Sequence, residues 1–445
     1  MGTQLISGRF SNLAPAPFAT PIEASNAYAA HAREILLPTI EEPTVSRIQA
    51  LLMITGHSWG AGEGRRAWIY LGMAVRMAQV IGLFEESAPS RTRDEFVAAE
   101  EKRRTAWTCF LMDSLLSGGK GRRRSLSATD MQIALPCDSV NFNFGETVRC
   151  ERLDGTLIGE STAGPVGQLG IVAHSMRVAD IWGGVARWAC SSLVEDEMPW
   201  ESDSEIQALL KALDCWRVSL PHRLAYSVFS LHCHSASDQG QAFCYQHSIY
   251  FMSIMFLHRP WIPDQADADV LHSNKQGFGA PIGKLRMQWQ ARSRKELLKT
   301  ADQVCEMLEE MRSFGLFFLR GLVPWIGFTA YTAVGVMLYY YHFPDPEDDK
   351  NVTEKAREHV VNGCAFLKDM RGFVNAGKKQ LSWPYLRRLQ YTGFCKRDDT
   401  RMIAQALRDS AETVRFTIRS LLCFVTASYL ISEDHGPWPI LGERR

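Results

Sequence analysis

Apolar residues recur along this chain with a period close to 3.6, the spacing that lines one face of a helix. In "TVSRIQALLMIT", Val45, Ile48, Leu51, Leu52 and Thr55 stand at offsets 0, 3, 6, 7 and 10. This predicts a helix with Thr44 as its N-cap. In "RRAWIYLGMAVRMAQVIGL", Ala67, Tyr70, Leu71, Ala74, Val75, Ala78 and Ile81 share a stripe, Arg65, Arg66, Arg76 and Gln79 lie largely off it, and Gly82 stands at the expected C-cap. "EEKRRTAWTCFLMDSLLSGG" repeats the spacing at Trp107, Phe110, Leu111, Ser114 and Leu115, and Gly118-Gly119 ends it. Further helices are predicted at 166–191, 204–219, 239–258, 292–313, 315–341, 353–376 and 400–431. The predicted loops are 120–165, 261–285 and 343–352, the last acidic with "DPEDD". Period-2 alternation is scarce and no internal repeat is present, so the predicted fold class is all-α, a large irregular multi-helix domain.

Composition adds exclusions. At 46% hydrophobic and 22% charged the chain is globular, and 49 Lys+Arg balance 49 Asp+Glu, so no net field draws it to nucleic acid or an anionic membrane. Its eleven cysteines are scattered, and the first 25 residues show no basic start followed by an apolar core. No secretory signal is visible, and a reducing compartment with free, mostly buried thiols is the reading. Residues 321–341 hold 21 positions without a charge, long enough to span a bilayer. The stretch also carries Pro324, three glycines and six aromatic rings and stands alone, so a helix buried in a core is expected, with a single-pass membrane protein as an alternative.

"GHSWG" at 56–60 fits G-x-S-x-G, the turn that exposes a hydrolase serine between a strand and a helix. Its flanks disagree: a helical stripe precedes it, and Gly60-Ala-Gly62-Glu-Gly64 follows, where each helix-interior glycine costs roughly 1 kcal/mol against alanine. Asp434 and His435, adjacent in sequence, are poorly placed as orienter and base of one triad. Ser58 is therefore expected in an interhelical loop, with a Ser58 hydrolase as an alternative. "HCH" at 232–234 offers zinc-ligand types, but three such close residues wrap one tetrahedral ion poorly. "KGRRR" at 120–124 reads as a solvated loop before an import signal or phosphate contact. Arg103 and Arg104 are read as surface salt bridges to Glu100 and Glu101. Trp68 and Trp107 occupy core-type registers, with the lining of a small-molecule cavity as their functional alternative. No catalytic, cofactor-binding, metal or DNA-binding residue is assigned.

The runs from 46–83 and 100–137 resemble the fungal-specific transcription factor domain, the regulatory middle region of fungal binuclear zinc cluster regulators. The matching residues are Gln49-Ala50-Leu51, Ala67-Trp68, Tyr70, Gly72, Ala74, Arg76-Met77-Ala78 and Gly82-Leu83, then Arg103, Arg104, Trp107, Phe110 and Asp113. "LDCWRVSLP" at 213–221 and "FLHRPW" at 256–261 add weaker agreement. The resemblance implies a flexible leader over 1–25, the domain over 26–260, a linker over 261–285 and a helical continuation over 286–445. It also implies transcription regulation in the nucleus without enzymatic chemistry or a cofactor, through a protein partner or small-molecule effector. Departures are Gly121-Arg122-Arg123-Arg124 where the family continues Gly-Arg-Pro, and cysteines that begin at Cys109 with no C-x2-C pair. Without six thiolates the binuclear zinc module that reads DNA cannot form, so contact with nucleic acid is expected only indirectly or through residues upstream of this chain.

Overall fold

The computed structural model describes residues 18, 21–87, 90, 92–117, 122–158, 164–191, 197–262, 280–344 and 350–371. Helices dominate: α1 (Pro21–Leu36), α2 (Val45–Gly60), α3 (Gly64–Val80), α4 (Arg93–Leu116), α5 (Ser139–Phe144), α6 (Ile171–Ala189), α7 (Glu205–Ser219), α8 (Val228–Ala236), α9 (Gly240–His258), α10 (Ala280–Ser313), α11 (Leu316–Arg320), α12 (Pro324–His342) and α13 (Lys350–Arg371). Among the described residues there is no strand, only isolated bridges such as Glu85 to Gln132, so the all-α expectation holds.

The termini follow local chemistry. The Thr44 side chain accepts from the Arg47 N–H at 3.3 Å and starts α2 as expected. Thr92 and Glu95 form a reciprocal capping box at the head of α4. At the end of α3, Gly82 adopts φ +64°. Its N–H donates to the Gln79 carbonyl at 3.1 Å while Leu83 N–H reaches Ala78 at 2.9 Å, the paired closure for which glycine is favoured.

Several boundaries depart from the pattern. The predicted helix over 315–341 is two helices, because Pro324 forces Val323 into extended backbone (ψ 154°) and breaks the run. The α10 helix begins at Ala280, inside the expected 261–285 loop, and the short α5 and α8 occupy stretches for which no helix was expected. A helix also fills Pro21–Leu36, which the leader was expected to enter. The helix predicted at 400–431 lies outside the described residues, as do Asp434 and His435.

Packing forms a main core from Leu36 to Met370 and a smaller cluster of Phe96, Ala134, Cys137 and Cys150. The α2–α3 hairpin packs on α4, α4 on α6, α6 on α9, and α9 on α10 and α12, with α13 closing over α10 and α12. Trp182 of α6 ties three of these together, meeting Phe256 of α9 and Trp325 of α12 edge-to-face at 5.1 and 4.9 Å. The uncharged 321–341 stretch is mostly α12, buried from Pro324 to Leu338 except at Tyr331. A helix that is apolar all round fits the centre of a large core, as expected. No helix among the described residues is long and apolar enough to cross a membrane. The α12 and α13 helices approach closely at Gly363, where a Cβ would collide with the Val334 side chain.

Candidate functional site

A cavity of about 300 Å³ opens where the start of α2, the α3–α4 connection and α4 converge. Thr44 and Val45 form one wall, Ile81, Gly82, Leu83, Glu85, Glu86 and Ser87 the second, and Ala99, Lys102 and Arg103 the third, with Ile133 at the base. The volume lies at the lower end for small-molecule sites, and the lining mixes apolar side chains with both signs of charge. The local fold makes it: the closure at Gly82 turns the chain away from α3, the capping box starts α4 at Thr92, and Glu86 between them is paired with Arg103 of α4.

Under the cavity lies a buried ion cluster. Glu100 is fully buried and accepts from Arg103 at 2.5 Å, from Arg104 at 2.9 Å and from the Cys137 N–H at 3.0 Å. Arg103 also donates to Glu86 at 2.7 Å, and the other Glu86 oxygen accepts from the Ala134 N–H at 2.8 Å. Burial lowers the Arg103 pKa, but the attraction of Glu100 and Glu86 outweighs it, so the guanidinium is held in its charged form. Burial likewise pushes the Cys137 thiol up to about 12, with the Glu100 charge adding to it. Arg103 therefore borders the cavity and ties α4 to the α3–α4 connection, while its partners Glu86 and Glu100 hold the 134–137 segment.

This corrects the reading of Arg103 and Arg104 as surface salt bridges. The pairing with Glu100 is real but internal, and Glu101 instead accepts from Gln49 of α2 at 3.0 Å. A signal was present: Phe96, Glu100, Trp107 and Phe110 share one helical face, so Glu100 stood inside an apolar stripe. Trp107 is fully buried, donates to the Ala134 carbonyl at 2.7 Å and lies edge-to-face with Phe110 at 5.2 Å. It is a core residue, and neither it nor the half-buried Trp68 lines the cavity. The Arg122 guanidinium lies 5.9 Å from the Trp68 ring centroid.

Ser58 is not in a loop. "GHSWG" forms the last turn of α2, and Ser58 and Trp59 are buried there. That burial outweighs the weak helix propensity of the two glycines, and the loop shrinks to residues 61–63. The Ser58 hydroxyl has no hydrogen-bond partner among the described residues and no exposure to substrate. "HCH" falls on α8, where His232 bonds Glu310 of α10 at 2.7 Å and His234 bonds the Arg223 carbonyl at 2.9 Å. Among the described residues no group of His, Cys, Asp and Glu is placed to hold a metal. Of the basic run, Lys120 and Gly121 lie outside the described residues. Arg124 turns inward, paired with Asp180 at 3.0 Å and stacked 4.7 Å over Phe110, so it is not the solvated position expected.

Asp113 anchors the segment that follows. It accepts the Ser125 and Leu126 N–H groups at 2.8 and 2.9 Å while burial pushes its pKa up. The buried His174, His247 and His258 are lowered to about 4 by loss of hydration and serve as neutral core groups.

Comparison with known proteins places this arrangement. Residues 11–218 match the family model described as the fungal specific transcription factor domain. That stretch, a little under half of the chain, is similar to the fungal specific transcription factor domain. Its relatives include two transcriptional regulatory proteins of Schizosaccharomyces pombe. One is 30% identical over 57% of this chain and 28% of the relative, the other 26% identical over 74% and 50%. A Zn(2)-C6 fungal-type transcription factor of Fusarium oxysporum f. sp. lycopersici is 27% identical over 69% of this chain and 33% of its own length. The chain thus spans half or less of these curated relatives. No solved structure matches. The fungal specific transcription factor domain is a regulatory region of transcription factors, a role that implies the nucleus, and the cavity with its ion cluster lies wholly inside the matched stretch.

Proposed function

We propose that this chain acts in the nucleus as the sensing region of a transcription regulator, and that the cavity between α2, the α3–α4 connection and α4 receives a small polar effector. The observation that carries the reading is the joining of cavity and clamp: Arg103 lines the cavity and holds Glu86 of the connection and Glu100 of α4. An occupant that draws Arg103 away from Glu86 favours a displaced connection, and the coupling equals its difference in affinity for the two arrangements. Because α4 packs on α6, and α6 on α9, the shift reaches the middle of the core. Lys102, Glu85 and Ser87 favour a ligand with charged or hydrogen-bonding groups over a lipid.

The test is a metabolite screen by thermal shift on the whole chain, repeated on Ala99→Leu, which fills the cavity from α4. Stabilisation of the wild type by a small polar compound, abolished in Ala99→Leu, supports the reading. Equal stabilisation of both proteins, or none across the screen, removes it. We further propose that sequence-specific DNA contact is supplied outside these residues, since Arg124 of the basic run is engaged internally. Retention of one sequence class by this chain with a Kd below about 10⁻⁸ M in a competition assay at physiological salt would overturn that.

A further inference from the structure

The α13 helix is fastened to α10 by a second ionic arrangement, far along the chain from the cavity. His359 is 5% exposed, and both ring nitrogens face carboxylates: Nε2 lies 2.9 Å from Asp302 and Nδ1 lies 3.0 Å from Glu309. A neutral imidazole carries one N–H, so it serves one of the two carboxylates and leaves a lone pair against the other. The imidazolium serves both. The surroundings reinforce this: Lys355, one turn earlier on α13, bonds Asp302 at 2.8 Å and Glu306 at 3.3 Å, and Asn362 donates to Glu309 at 3.0 Å.

We propose that His359 is a proton-gated latch holding α13 on α10, so that the seating of this helix follows pH across the neutral range. The groups facing it from α10 are Asp302, Glu306, Glu309 and the buried Cys305, whose thiol burial holds well above its usual range and therefore neutral. The packed part of α12 brings no charge from Pro324 to Tyr341, α11 brings Arg320, and α13 itself brings Lys355. Lys355 holds Asp302 and Glu306, and His359 stands between Asp302 and Glu309. Burial pulls the His359 pKa down, but the hydrogen bonds to Asp302 and Glu309 outweigh it, and the value stands above 6.5. The sign follows: a raised folded pKa gives stability that is complete below 6.5 and is lost as pH climbs through the folded value. Lys355 stays charged over that range, its pKa raised by the Asp302 bond, so the loss is specific to the histidine. The α12 side of α13, with Gly363 against Val334 and Met370 against Gly327, keeps it on α12, so the movement is a loosening of its α10 edge.

The test uses the full chain in two measurements. In an NMR titration of the histidine ring protons, His359 titrates above 6.5, and Asp302→Asn lowers that value. Titration at or below 6.5, or no response to Asp302→Asn, overturns the latch. In hydrogen exchange, the protection of residues 355–362 is taken as a ratio of wild type to His359→Gln, which cancels the intrinsic pH dependence. The expected ratio is about tenfold near pH 6, falling toward one as pH climbs through the raised folded pKa of His359. A ratio that stays flat overturns the proposal, and the NMR arm stands by itself if His359→Gln does not fold.

Discussion

Glu100→Ala separates a buried clamp from an ordinary surface pair. Exposed ion pairs contribute about 0.2–1 kcal/mol, because water already solvates both partners. Glu100 is fully buried and serves three donors, and its loss leaves Arg104 without its carboxylate and Arg103 with Glu86 alone, both in poorly hydrated surroundings. Breaking a buried pair by removing one partner costs about 3–5 kcal/mol. The expected loss is therefore in that range, read from urea unfolding followed by tryptophan fluorescence. A second variant sharpens the result: adding Arg104→Met to Glu100→Ala recovers part of the loss, since the cation left without a carboxylate is gone. A loss under about 1 kcal/mol, or additive effects of the two substitutions, would show that the cluster is solvated and that the cavity floor is not clamped.

Three further outcomes are expected. Trp107→Ala costs about 3–5 kcal/mol, with the Ala134 carbonyl left unpaired, and an unchanged denaturation midpoint would contradict the burial of the ring. Gly82→Ala costs about 1–2 kcal/mol through backbone strain alone, since the nearest atom to an added Cβ is 4.0 Å away, and a stabilised protein in thermal unfolding would refute the left-handed closure of α3. Ser58→Ala is neutral or mildly stabilising because it removes an unpaired buried hydroxyl, and a fluorophosphonate probe leaves the folded wild type unlabelled; labelling lost in Ser58→Ala would restore the hydrolase reading.

The helices with strong stripes were legible because burial and periodicity coincide in them: Ile48, Leu51 and Leu52 on α2, and Ala67, Leu71, Ala74 and Ala78 on α3, face the core as their spacing requires. What failed were positions where tertiary packing overrode local preference. "GHSWG" reads as a breaker, but burial of Ser58 and Trp59 keeps it helical. Short α8 carries too few turns for a stripe to emerge. The site was less legible than the fold. Lys102 and Glu85 look like any exposed residues, and the apolar stripe around Glu100 signals its burial but not the 134–137 segment that supplies its partners. His359 reads as one more polar residue of an amphipathic helix until α10 is placed against it.

The recognisable stretch ends at residue 218, but the folding unit does not. Trp216, two residues short of that limit, stacks on Tyr250 of α9 at 5.3 Å, and Trp182 rests on Phe256 and Trp325, all supplied by later helices. A fragment cut at that limit would present these indoles to water as a sticky face, inviting aggregation. Expression fragments, fusion points and deletion series are therefore better drawn after α13 than at the edge of the matched stretch. A truncation at that edge that abolishes activity reports a broken fold before it reports a missing function.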